Sequence, residues 1–166
     1  VAPDTLQDPA ARQVARERAA QRAEFMAKLL SFLEAGKEVA YLHWADPMVY
    51  GNLWMLELLP NEVPREIVPG VGAFQAASAA LGRTAVYGGE TSSVILTMHD
   101  WPGRRDKNAE LMRHQSSMAF YTMHLHYPEI FAELARRYPL STPVAVVVHA
   151  GDREAEEVME STVGAF

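Results

Sequence analysis

The 166-residue sequence predicts an α/β protein of two small lobes. Two observations lead there. Helix-capping signals alternate with short apolar runs over the first half, giving helix, strand, helix, strand, helix, the rhythm of a parallel sheet with crossover helices. Three more apolar runs, broken by a turn and a further helix, fill the second half. Tyr87-Gly88-Gly89-Glu90 reads as a linker, so the lobes are expected at 1–87 and 88–166.

The elements follow in order. Asp8-Pro9 combines an N-cap acceptor with proline in the first turn, a good helix start. Val14, Phe25, Met26, Leu29, Leu30 and Leu33 recur near helical spacing, and Gly36 supplies the stop. Val39 to Leu42 suits a buried strand that ends in the turn-like His43-Trp44-Ala45-Asp46-Pro47. A helix is expected through Tyr50 to Leu59, bounded by Pro60 and Pro64. Arg65 to Val68 reads as a second strand, cut off by Pro69-Gly70, which fits a type II turn. AFQAASAALG then forms a helix of small residues closed by Gly82.

In the second half, Ser93 to Met98, Met118 to Met123 and Val144 to Val148 are the strand candidates. Trp101-Pro102-Gly103 is a turn, Pro128 opens a helix to about Arg137, and a last acidic helix is expected from Asp152. Its Glu154, Glu156, Glu157 and Glu160 read as a solvated face.

Composition narrows the function classes. Hydrophobic residues make up 49% and charged residues 22%, which is globular and excludes collagen, coiled coil and disorder. No run nears the roughly 20 apolar residues of a membrane span, and the opening VAPDTLQDPAARQVARER carries no secretory pattern. The net charge is −6, and basic residues cluster only at Arg12 to Arg22 and Arg104 to Lys107, so neither nucleic acid nor membrane is expected as a partner. Cysteine is absent, which removes disulfides, thiolate zinc sites and cysteine nucleophiles, and leans towards the cytoplasm.

Two loops stand out for chemistry. Ala45-Asp46-Pro47-Met48-Val49-Tyr50-Gly51 follows an expected strand and precedes a helix. Val68-Pro69-Gly70-Val71-Gly72 follows the next strand, and the small-residue helix starts at once. In open parallel sheets, ligands bind at such strand ends, where loop amides are exposed. His43 and Trp44 beside the first loop, and His149 at a later strand end, are candidates for ligand contact. His124-x-His126 would share one strand face, but without a third ligand no metal site is expected. Arg104, Arg105 and Arg113 are candidates for meeting carboxylates, against the commoner reading of solvated surface arginine. The eight methionines read as core filler.

The segment VPGVGAFQAASAALG resembles the VPGVSSFQAAAAALG-type signature of the tetrapyrrole (corrin/porphyrin) methylases. ADPMVYG is similar to their GDPxxYG loop, SSVILTM to their TVILTR strand, LMRHQSSMAFYTMHL to LARHGATLVLHLS, and PVAVVVHAG to PVAVVYRAS. The five matches keep the family order from about residue 38 to 158, and the fit is nearest its precorrin-4 C11-methyltransferases. Three departures stand beside them. Ala45 replaces a glycine, at a position where a Cβ bears on positive φ and on close approach of the cofactor. Gly72-Ala73 replaces a serine pair. The family's opening GxGPGD strand-loop and its final strand are not seen, so an incomplete two-lobed fold with mixed and parallel sheets is expected.

The resemblance implies S-adenosylmethionine as cofactor, S-adenosylhomocysteine as product, a tetrapyrrole corrin precursor as substrate, and a homodimer. Carried over by position, Ala45, Asp46 and Pro47 would line the methionine part of the cofactor. Thr122, Met123 and Ala150 would flank the adenosine, largely through backbone atoms. Tyr50, Pro69, Gly70 and Phe74 would face the tetrapyrrole, with Asp46 assisting proton removal or orienting substrate. Two alternatives accompany this expectation. One is a non-catalytic relative binding a tetrapyrrole or a partner protein, and the other is a methylase with a different acceptor.

Overall fold

A computed structural model describes residues 8–51, 53–86, 88–89, 91–101 and 103–166. Tyr87 and Glu90 of the expected linker, and Pro102 of the expected turn, lie outside the described residues. The chain forms two compact units, Val1–Val71 and Gly72–Phe166. The division falls before the small-residue helix rather than at residue 88, because that helix packs against a strand of the second unit.

In the first unit, α1 (Pro9–Glu34) starts as its sequence dictates. The Asp8 carboxylate accepts the Ala10 N–H at 3.0 Å, and Gly36 takes a φ of 73° just past the helix end. The second helix, α2 (Leu53–Leu58), is short. Met26 and Leu29 of α1 bury against Met55 of α2, ringed by Leu30, Leu33, Trp54 and Leu59. Phe25 adds edge-on contacts to Trp54 and Tyr41, with ring centres 5.9 and 6.0 Å apart.

The two strands expected here do not form. Residues 39–42 and 65–68 are without regular structure, and no strand exists among the described residues of this unit. An apolar run becomes a strand only when a second segment completes its ladder of hydrogen bonds. Neither run has one, and Leu42 and Val68 stay exposed.

The second unit opens with α3 (Ala73–Leu81), closed by Gly82 at φ 60°, the left-handed stop read from the sequence. Strand β1 (Val94–Met98) pairs in parallel with β2 (Ser117–Tyr121), Val94 beside Ser117 through Met98 beside Tyr121. The crossover between them holds α4 (Asn108–Leu111) and a 3-10 turn, Met112–His114, neither of which the sequence reading anticipated. Next comes α5 (Tyr127–Arg137), with Pro128 in its first turn.

Strand β3 (Pro143–Val148) pairs antiparallel with β4 (Glu157–Thr162). The terminal acidic segment is therefore a turn and a strand, not a helix. The ladder offered by β3 decides it: Val158 stands opposite Val147 and Met159 opposite Val146. The glutamates remain exposed, as expected of them, but on turn and strand. Met112, Leu134 and Val163 form the core, packed by Met118, Phe120, Ile130, Phe131, Tyr138 and Val144. The Tyr138 hydroxyl donates to the Ser116 carbonyl at 2.8 Å, and burial raises its pKa. No helix among the described residues is long and apolar enough to cross a membrane.

Candidate functional site

The two loops singled out in the first unit come together through their backbones. Ala45 adopts φ 59° and Tyr50 φ 56°, so both ends of the ADPMVYG loop turn through left-handed conformations. Between them, Asp46 Oδ1 accepts the Met48 N–H at 2.8 Å, a side-chain turn around Pro47. A Cβ on Gly51 would overlap the Pro47 carbonyl, which explains the glycine that closes this loop.

Gly70 has a different reason for being glycine than the one expected. It does not take a positive φ, so Pro69-Gly70 is not a type II turn. Instead, a Cβ there would overlap the Ala45 carbonyl. The second loop lies against the first with no room for a side chain between them. Asp46 and Pro47 are half-buried, whereas Ala45, Tyr50, Pro69 and Gly70 stay exposed. Alongside, the His43 and Trp44 rings stack, centres 5.3 Å apart and planes 27° apart.

In the second unit the remaining candidates sit at element ends. Phe74, in the first turn of α3, lines an open, mainly apolar groove of about 300 Å³ with Gln75, Ser78, Val86 and Val94. Thr122 and Met123 follow β2 directly, both exposed, in a turn where the Leu125 N–H donates to the Thr122 carbonyl. Ala150 follows β3 in a turn set by His149 at φ 51° and Gly151 at φ 91°. The Gly151 N–H donates to the Glu156 carboxylate at 2.7 Å. A Cβ on Gly151 would come 3.7 Å from that of Ala76, so this turn lies on α3. The structure thus brings Ala45, Asp46, Pro47 and Gly70 together in one unit. It sets Thr122 and Met123 side by side in the other, with Ala150 at the next strand end.

A polar knot at the end of β1 escaped the sequence reading. Thr97 is fully buried, donating to Asn108 Oδ1 at 2.8 Å and accepting from Arg104 Nη2 at 2.8 Å. Arg104 Nη1 and Asn108 Nδ2 both donate to the Met98 carbonyl, at 2.8 and 2.9 Å. Arg104 also pairs with Asp100 and Asp106, and its guanidinium holds the Asp106 carboxyl below the usual range. With only 5% of its side chain exposed, Arg104 is not available to a substrate carboxylate. Arg113 is engaged by Glu110 at 2.9 Å. The only sequence signal for the knot was an arginine within a short basic run, which by default reads as surface.

The knot fixes the loop that walls a second groove, about 270 Å³, at the carboxyl ends of β1 and β2. His99, Asp100, His124, His126 and Glu129 line it. The two histidines expected on one strand face lie beyond β2 instead. His124 sits in the turn at φ 60°, and His126 caps α5 with Nδ1 3.3 Å from Glu129. Among the described residues no group of three histidine or acidic side chains is placed to hold a metal.

Known proteins share this arrangement of segments. The chain is 31% identical over 148 residues to the cobalt-precorrin-4 C(11)-methyltransferase of Methanocaldococcus jannaschii, covering 84% of this chain and 56% of the relative. It is 31% identical over 128 residues to the precorrin-4 C(11)-methyltransferase of Pseudomonas aeruginosa, covering 74% of this chain and 51% of that relative. It therefore spans about half the length of the curated relatives it matches. Among solved structures, cobalt precorrin-4 methyltransferase, a cobalamin biosynthetic enzyme, superposes with a TM-score of 0.76 at 28% identity, over 85% of this chain and 61% of that one. The family profile described as tetrapyrrole (corrin/porphyrin) methylases matches residues 2–166, which take in both interlocked loops and the strand ends carrying Thr122, Met123 and Ala150, and the chain belongs to that family.

Proposed function

We propose that the chain is part of an S-adenosylmethionine-dependent C-methyltransferase acting on a corrin precursor. The observation that carries this reading is the family match along residues 2–166, with relatives named as precorrin-4 C(11)-methyltransferases. The first loop bears on whether the cofactor fits. Ala45 reaches the left-handed backbone that a glycine would adopt there, so its Cβ does not prevent the loop from forming.

Bound S-adenosylmethionine supplies a methyl group on a sulfonium, an electrophile that needs positioning and exclusion of water more than a strong base. The chain's own residues would do the rest. By the family resemblance, Ala45, Asp46 and Pro47 would hold the methionine end, and the backbone at Thr122, Met123 and Ala150 would flank the adenosine. Tyr50, Pro69, Gly70 and Phe74 would face the tetrapyrrole. Asp46 uses one carboxylate oxygen on the Met48 N–H, and its other oxygen orients substrate or accepts the departing proton. The reading includes a homodimer, resting on the family resemblance, and a cytoplasmic setting, resting on the absence of cysteine.

A second reading, a non-catalytic methylase-like domain, is favoured by one observation: the first unit has no strand among its described residues to carry the cofactor loops. Isothermal titration of the folded chain with S-adenosylhomocysteine separates the two. Micromolar binding supports the enzyme. A folded chain that gives no binding leaves the non-catalytic domain.

A further inference from the structure

We propose that Trp44 is a stacking platform for the conjugated face of the tetrapyrrole, a specificity element beside the ADPMVYG loop. Trp44 is 83% exposed, which is unusual for the largest apolar side chain. It is nonetheless held in place. The imidazole of His43 lies against one face of the indole, with planes 27° apart and centres 5.3 Å apart. The Nδ1 of that imidazole is buried with no hydrogen-bond partner. The opposite face of the indole is left to solvent.

A fixed aromatic plane with one open face suits a flat π-system, because offset stacking rewards two rigid planes and costs little side-chain entropy. The platform is one residue from Ala45 and two from Asp46, the loop assigned above to the reacting end of the cofactor. A macrocycle stacked on Trp44 would therefore lie beside that loop. This inference rests on the tetrapyrrole reading of the function, so its test must separate the two.

The test uses the whole chain and two probes, uroporphyrin followed by its absorbance and S-adenosylhomocysteine followed by calorimetry. Trp44→Ala is expected to weaken uroporphyrin about tenfold, the scale of one aromatic stacking contact. Trp44→Phe, which keeps a flat ring, should recover most of the affinity. The thermal midpoint and S-adenosylhomocysteine binding should be unchanged, since the side chain is exposed. Unweakened uroporphyrin binding by Trp44→Ala would overturn the platform and leave the tetrapyrrole reading standing. A lowered thermal midpoint would show a structural role and also overturn it. If the unsubstituted chain does not bind uroporphyrin, the platform for a conjugated macrocycle is overturned, while S-adenosylhomocysteine binding reports separately on the methylase reading.

Discussion

Replacing Thr97 by valine tests the polar knot at nearly constant volume, so no sizeable cavity confuses the result. The hydroxyl is fully buried and makes two bonds of 2.8 Å, one to Asn108 Oδ1 and one from the Arg104 guanidinium. A neutral bond is worth about 1 kcal/mol and one to a charged group about 1.5–3 kcal/mol. Arg104 keeps Met98, Asp100 and Asp106, whereas Asn108 Oδ1 loses its Thr97 donor. The extra methyl returns up to about 0.8 kcal/mol of burial. The net expectation is a loss of about 2–3 kcal/mol, a large share of the roughly 5–15 kcal/mol typical of a domain. Urea unfolding read at Trp101, on whose ring Arg104 sits at 5.2 Å, reports on the right unit when Trp44 and Trp54 are replaced by phenylalanine throughout. In the Thr97→Val background, Asn108→Ala should cost at least about 1 kcal/mol less than in the parent, the sign of a shared network. A loss below about 1 kcal/mol with additive double substitution would refute the knot as a source of stability.

Three further outcomes are expected. Gly70→Ala should lower the thermal midpoint by several degrees, because its Cβ would overlap the Ala45 carbonyl, while Gly88→Ala, with nothing within 4 Å, should not. Ala45→Gly should stabilise by about 0.5–1 kcal/mol in urea unfolding: a left-handed alanine costs roughly 1–2 kcal/mol, and the added chain entropy of glycine takes part of that back. Glu133 is held below its ordinary pKa by Arg137 first and Arg136 second, so these pairs favour the folded state above the glutamate range and lose that effect as pH falls through it. The thermal midpoint of Glu133→Gln should therefore trail the parent near neutral pH and converge with it in strong acid, by a small amount since Arg136 is exposed and Arg137 only half-buried.

The parts of this fold that were legible in the sequence are those with local causes. Asp8, Gly36 and Gly82 mark helix ends because a cap needs only the residues within one turn of it. The strands were half legible. The runs expected at 93–98, 118–123 and 144–148 found partners over 94–98, 117–121 and 143–148, and the equally apolar run at 39–42 did not. Nothing within a run states whether its ladder will be completed. The same blindness turned residues 157–162 into an expected helix, since β3 is what selects the extended form. At the candidate site, the glycines announced that the two loops are tight but not what makes them so. Thr97, Arg104 and Asn108 belong to a strand, a loop and a short helix, so only the folded crossover shows that they share one buried centre.

The contact between Gly70 and the Ala45 carbonyl has a consequence for how such a chain can change over generations. Two segments far apart in the chain share one small volume, so neither drifts alone. A side chain at 70 becomes tolerable only after the backbone at 45 has moved, and that movement carries Asp46 with it. Substitutions at these positions should then be accepted in a fixed order, with the early change in one loop deciding which later changes in the other remain open.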